Sequence, residues 1–220
     1  EVKNFDPLNF FDKKEAKKMD RNTQLGLVAA REAVAHSRII EDQVNLDRVG
    51  VIWGSGIGGL ETFETEVLGW AQTDIPRFNP FFIPKMIADI TPGHISMEYG
   101  FHGPNYTTVS ACASSANAII DAKMLIQLGK ADIIVCGGSE AAVTASGVGG
   151  FNAMMALSTR NDDPTTASRP FDKERDGFVL GEGAGSIILE EYEHAVKRGA
   201  TIYAELKGGG LSADAYHMTA

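Results

Sequence analysis

Gly103-Pro104-Asn105-Tyr106-Thr107-Thr108-Val109-Ser110-Ala111-Cys112-Ala113-Ser114-Ser115-Ala116-Asn117-Ala118-Ile119 crosses from an extended segment into a helix, and a cysteine stands at the crossing. Tyr106 to Ala111 is rich in Thr and Val, side chains that suit a pleated strand. From Ala113 to Leu128 the pattern changes. Ala118, Ile119, Ala122, Leu125 and Ile126 fall on one helical face. Gly129 supplies the stop. A strand feeding directly into a helix is the repeating unit of a parallel α/β sheet.

The same alternation extends in both directions. Upstream, residues 12–36 read as one long amphipathic helix, with Leu25, Val28, Ala29 and Ala33 at steps of three or four. Arg48 to Trp53 is a short apolar strand. A Gly-rich turn follows, then a helix over Leu60 to Ala71. Pro80 to Ile83 breaks the pattern, and Pro84 to Tyr99 resumes as helix, interrupted near Pro92. Downstream, Ile133 to Cys136 is an apolar strand ending in Gly137-Gly138. Residues 157–178 form a polar, charged loop of functional length. Phe178 to Leu189 is a Gly-crowded strand, Glu190 to Arg198 a short helix, and Tyr203 to Ser212 a last strand. The expected fold class is α/β: a mainly parallel sheet flanked by helices on both faces.

Cys112 carries the strongest chemical signal. At a helix N-terminus, free N–H groups and the helix dipole favour a thiolate. An ordinary thiol has a pKa of ~8.5, so only a few per cent is ionised at neutral pH. The dipole contributes roughly 0.3–1 kcal/mol, less than about one pKa unit, so a further base or cation is required. Small neighbours leave room for a bulky thioester, and the Cys112 N–H is a candidate oxyanion donor. Position alone leaves a second reading open, that of a buried structural thiol. Cys136, at the end of an apolar strand, reads as structural.

Composition narrows the classes. The chain has 220 residues, 44% of them hydrophobic, and a net charge of −9. That charge argues against bulk binding to nucleic acid or to an anionic membrane. Two cysteines in this length fit a reducing, cytoplasmic setting better than a disulfide scaffold. No apolar run reaches bilayer-spanning length. The absence of an initiator Met, and an end without a terminating element, suggest a piece of a longer chain.

Gly54-Ser55-Gly56-Ile57-Gly58-Gly59 follows a strand and opens a helix, as a dinucleotide fingerprint does. The acidic residue expected about twenty positions on, at a strand end, is missing. The run Lys13, Lys14, Lys17, Lys18, Arg21 is basic at helical spacing in an acidic chain. It is either a solvated helix face or a docking patch for an acidic partner. The mixed charges Asp172, Lys173, Glu174, Arg175, Asp176 and Glu182 read as salt bridges and turns, with no metal site and no catalytic carboxylate.

The segment around Cys112 resembles the active-site signature of β-ketoacyl synthases. So do Gly54–Gly59, Gly147-Val148-Gly149-Gly150-Phe151, Ala156-Leu157-Ser158-Thr159-Arg160-Asn161, Arg169-Pro170-Phe171-Asp172, Arg175–Gly185 and Ser212–Thr219. The likeness covers essentially the whole chain and is nearest the bacterial elongating type. It implies a thiolase-like layered fold, of which residues 1–220 are part of the N-terminal half, with the C-terminal half absent. It implies a homodimer and a decarboxylative Claisen condensation in fatty-acid elongation. Cys112 would be acylated by acyl carrier protein and then meet malonyl carrier protein, with no metal or organic cofactor. Ile57 and Phe151 would line the acyl pocket. Lys14, Lys17 and Lys18 would dock the carrier.

The family's decarboxylation histidines and lysine belong to its later half. His36, His94, His102 and His194 read as structural, and His217 is not assigned the catalytic role. The fragment alone is therefore expected to be inactive. Met154-Met155 stand where relatives often carry an Arg. Gly181, Gly183 and Gly185 are expected to allow close packing near the cysteine-bearing element. Two other readings remain: a polyketide-type ketosynthase, and a non-catalytic chain-length partner, against which Cys112 argues.

Overall fold

The computed structural model describes residues 1–73, 75 and 77–216. Four strands form one sheet: β1 (Val49–Gly54), β2 (Asn105–Thr108), β3 (Ile133–Glu140) and β4 (Gly183–Glu190), in the order β2-β1-β3-β4. The β1/β2 and β1/β3 pairings are parallel, and β3/β4 is antiparallel. The sheet is mainly parallel, as expected, with one antiparallel edge.

Strand alternation explains the layers. Val49, Val51 and Trp53 of β1, with Ile133 and Val135 of β3, pack against Leu27, Ala30 and Val34 of α2 (Arg21–Ser37) and Ile95 of α5 (Ile90–Tyr99). Ile52, Ile134 and Cys136 face the other way, onto Ala118 and Ala122 of α6 (Ser114–Gln127). Every residue of β1 is buried, the pattern of a strand covered on both faces. The other helices are α1 (Lys13–Ala16), α3 (Leu60–Thr73), α4 (Phe82–Met86), α7 (Ala145–Ala153) and α8 (Tyr192–Lys197).

The helix expected over Pro84 to Tyr99 is two, α4 and α5, parted at 87–89, and Pro92 lies in the first turn of α5, where a proline is tolerated. Three further expectations are corrected. The single helix over 12–36 is two. Asp12 accepts the N–H groups of Lys14 and Glu15 and starts α1. Asp20 accepts that of Asn22 and starts α2. Each is an N-cap side chain satisfying otherwise orphaned donors. Second, no strand forms over 203–212, which is exposed and irregular. Gly208, Gly209 and Gly210 weaken any strand there. A Cβ on Gly209 would lie 2.5 Å from Ile120, so the segment crosses α6 and does not extend the sheet. Third, α7 was not anticipated. Its glycines hide the helix, but Thr144 caps it by accepting the Gly147 N–H.

Candidate active site

Between β2 and α6 the chain turns within residues 109–113. Ala111 takes a left-handed conformation, with φ of 51°, which costs a non-glycine residue of order 1–3 kcal/mol and persists only when surroundings enforce it. The enforcing residue is Ser114. Its buried hydroxyl accepts the Ser110 N–H at 2.9 Å and donates to the Ala111 carbonyl at 2.7 Å. Thr108 Oγ1 donates to the Ser114 carbonyl at 2.7 Å. Asn117 Nδ2 holds Ser110 Oγ at 2.6 Å. Cys112 sits at the apex of this elbow with its side chain exposed. No side chain caps the start of α6, so nothing from the protein's side chains competes with a developing negative charge there.

The elbow stands at the carboxyl ends of the parallel strands, where open α/β sheets place their ligands. Helix α6 reaches that position because two strands lack side chains beneath it. A Cβ on Gly54 would lie 2.4 Å from the Ser115 N, and one on Gly138 would lie 2.1 Å from Ser115 Oγ. The glycines expected in this role, Gly181, Gly183 and Gly185, would meet nothing within 4 Å. They are replaced in it by Gly54 and Gly138.

Both cysteines are free thiols. Cys136 is buried on β3, and burial pushes its thiol up to about 12. It is a packing residue, as the sequence indicated.

The turn after β1 has a partner that the sequence did not reveal. The Glu140 carboxylate, at the end of β3, accepts the Gly56 N–H at 2.7 Å, the Ile57 N–H at 3.0 Å and the Gly58 N–H at 3.4 Å. Successive N–H groups of this kind form an anion-binding nest. Here the anion is the protein's own, which gives the failed dinucleotide fingerprint a physical reason. Burial pushes the Glu140 carboxyl up, opposed by these same hydrogen bonds. Gly58, at φ of 87°, supplies the left-handed step that closes the turn.

Ile57 is 46% exposed. Its loop borders the elbow, since a Cβ on Gly56 would lie 3.6 Å from the Ala111 carbonyl oxygen. Phe151, on α7, is half-buried and meets Phe178 edge-to-face, with ring centroids 5.2 Å apart.

Lys14, Lys17 and Lys18 are exposed and, among the described residues, make no ion pair. The Lys18 ammonium lies 5.5 Å from the centre of the Phe81 ring. Arg21 leaves the basic run. Its guanidinium pairs with Glu182 at 2.7 Å, and this contact holds the Glu182 carboxyl below its ordinary range.

The described histidines lie away from the elbow's hydrogen bonds. His36 stacks on Tyr203, the His102 N–H donates to Leu46, and His194 pairs with Glu190. Burial lowers the pKa of His94. His217 lies outside the described residues. Among the described residues no three His, Cys, Asp or Glu side chains form a metal-binding group, and no helix is long and apolar enough to cross a membrane.

The site is thus a cysteine elbow at the carboxyl edge of a layered α/β sheet. Residues 1–195 match the model of the β-ketoacyl synthase N-terminal domain, and the chain belongs to that family. It is 48% identical over 220 residues to a 3-oxoacyl-[acyl-carrier-protein] synthase 2 of Synechocystis sp., covering all of this chain and 53% of that protein. A Staphylococcus aureus protein of the same name is 49% identical over 220 residues, with 54% of it covered. The chain therefore spans about half the length of the curated relatives it matches. A solved β-ketoacyl synthase from Burkholderia phymatum superposes with a TM-score of 0.89 at 34% identity, over 99% of this chain and 53% of that one. A type II polyketide ketosynthase, solved with its acyl-carrier protein and bound to the hexaketide, gives 0.74 at 25% identity, over 90% of this chain and 55% of that one.

Proposed function

We propose that this chain is the nucleophile-bearing half of an elongating β-ketoacyl-acyl-carrier-protein synthase. The observation that carries the reading is the exposed Cys112 on an enforced left-handed elbow at an uncapped helix start. The Cys112 thiolate attacks the carbonyl of an acyl carrier thioester. The carbon–sulfur bond to the carrier breaks, and the carrier leaves as a thiolate that takes up the proton Cys112 gave up on ionising. Malonyl carrier protein then loses CO₂. The electron pair left on its α-carbon attacks the acyl-enzyme and expels the Cys112 thiolate, which is regenerated. The Cys112 N–H is assigned as an oxyanion donor for both attacks.

Ile57 and Phe151 are assigned to the acyl pocket. Lys14, Lys17 and Lys18, exposed without ion pairs, are assigned to docking an acidic carrier. A homodimer in the cytoplasm completes the proposal. The decarboxylating groups are assigned to the part of the relatives that this chain does not cover. A polyketide-type substrate is the second reading, favoured by the likeness to a ketosynthase solved with a polyketide intermediate.

The test is intact-protein mass of the natural full-length protein after incubation with a saturated medium-chain acyl carrier thioester. One acyl group is expected, mapped to Cys112 and absent from Cys112→Ala. No adduct would sink the reading and favour a non-catalytic chain-length partner. Uptake of polyketide thioesters but not saturated ones would favour the second reading.

A further inference from the structure

The loop that carries Ile57 is tied at its two ends by backbone hydrogen bonds, Ser55 N–H to the Thr108 carbonyl at 3.3 Å and Gly59 N–H to the Met86 carbonyl at 3.0 Å, and at its middle by one side chain. Gly56, Ile57 and Gly58 all direct their backbone N–H groups at the Glu140 carboxylate, 82 to 84 residues away in sequence. Glu140 is the last residue of β3 and pairs in register with Gly183 of β4, so its backbone is fixed by the sheet. The carboxylate thus transfers the position of the sheet to the loop. On the same side of the loop, Gly56 approaches Ala111, the residue before Cys112. Between those ends, Glu140 is the side chain that ties the Ile57 amide to the sheet beside the cysteine elbow.

We infer that Glu140 is a positioning residue of the acyl site, fixing where Ile57 stands and hence which acyl chains reach Cys112. This inference rests on the condensing-enzyme reading given above. Glu140 touches no reacting atom. Its carboxylate acts through three backbone amides, which a glutamine cannot satisfy equally. An amide offers one acceptor oxygen and turns a donor toward groups that are themselves donors. The Gly56 position provides a second handle on the same contact. A Cβ there would lie 2.8 Å from Glu140 Oε2 and displace the carboxylate while leaving its charge in place.

The experiment compares the natural full-length protein with its Glu140→Gln and Gly56→Ala variants. Acylation of Cys112 is followed with saturated eight-carbon and sixteen-carbon carrier thioesters, and alkylation of Cys112 with iodoacetamide reports on the thiol itself. Both variants are expected to change the ratio of kcat/KM for the two chain lengths by about tenfold, the scale of one charge-assisted hydrogen bond. Alkylation is expected to stay within about twofold, because the elbow keeps its own hydrogen bonds. Glu140→Asp, which retains the carboxylate, is expected to restore part of the natural ratio. An unchanged ratio in folded variants overturns the inference. So does an equal loss for both thioesters and for iodoacetamide, which would make Glu140 a support of the elbow alone. A natural protein that accepts no acyl group would instead refute the condensing-enzyme reading, and the inference with it.

Discussion

At the residue scale, the two cysteines show how environment divides one chemistry into two roles. Cys112 is exposed at the start of a helix; Cys136 is sealed beneath α6, its thiol raised to about 12 by burial. In the folded protein at pH ~8, iodoacetamide should label Cys112 at least about a hundredfold faster than Cys136, because the alkylated species is the thiolate. Peptide mapping checks this, and denaturation should abolish the difference. Comparable labelling of both thiols in the folded state would contradict the burial of Cys136. Raising the pH toward 10 should still leave Cys136 a thiol, as long as the fold holds. The position of Cys112 was readable from the Thr- and Val-rich strand and the helical period after it. The left-handed Ala111 was not, because alanine carries no preference for that conformation. It is imposed by Ser114, three residues on.

Among the elements, the clearest lesson is the break between α1 and α2. Periodicity continued across it, so the apolar pattern alone read one helix. Asp12 and Asp20 were visible cap residues, and the local rule that identifies them would have divided the segment correctly. Asp20 does more than cap. It is 2% exposed and also accepts the Thr62 N–H at 2.9 Å and the Thr62 hydroxyl at 2.6 Å, tying α2 to α3. Asp20→Ala should lower stability by about 2–4 kcal/mol, from a lost cap and stranded buried donors. A urea midpoint that moves by less than the equivalent of about 0.5 kcal/mol would refute this role. Contacts of this kind lay beyond sequence reading because their partners are distant. Glu140 lies more than eighty residues from the loop it holds, and Glu182 lies 161 residues from Arg21. The strand expected over 203–212 failed differently: it satisfied a local pattern but found no neighbour to pair with.

For the whole molecule, charge is the informative quantity. A net charge of −9 would repel an acidic partner, yet Lys14, Lys17 and Lys18 stand exposed together. Local field, more than net charge, governs encounter. Combined Lys14→Glu, Lys17→Glu and Lys18→Glu substitution should raise KM for acyl carrier protein by about tenfold or more at low salt, mostly through slower association. Turnover of a carrier-free pantetheine thioester should be unchanged. Equal KM values for the carrier in both proteins would remove these lysines from the docking surface. The mainly parallel character of the sheet was legible at this scale, because buried strands read as continuous apolar runs; the strand order was not. The antiparallel β4 was not, since direction leaves no mark in composition.

The seam between α6 and the sheet has a mechanical meaning. Ordinarily a helix rests on a sheet through a cushion of side chains, and that cushion absorbs small displacements by changing rotamers. At Gly54 and Gly138 the cushion is absent, and the start of α6 bears directly on strand backbone. A stiff joint transmits what a soft one damps. Any substitution that shifts β1 against β3, however far along the strands, should reach the sulfur of Cys112 nearly undiminished, while changes on the outer face of α6 are absorbed before they arrive.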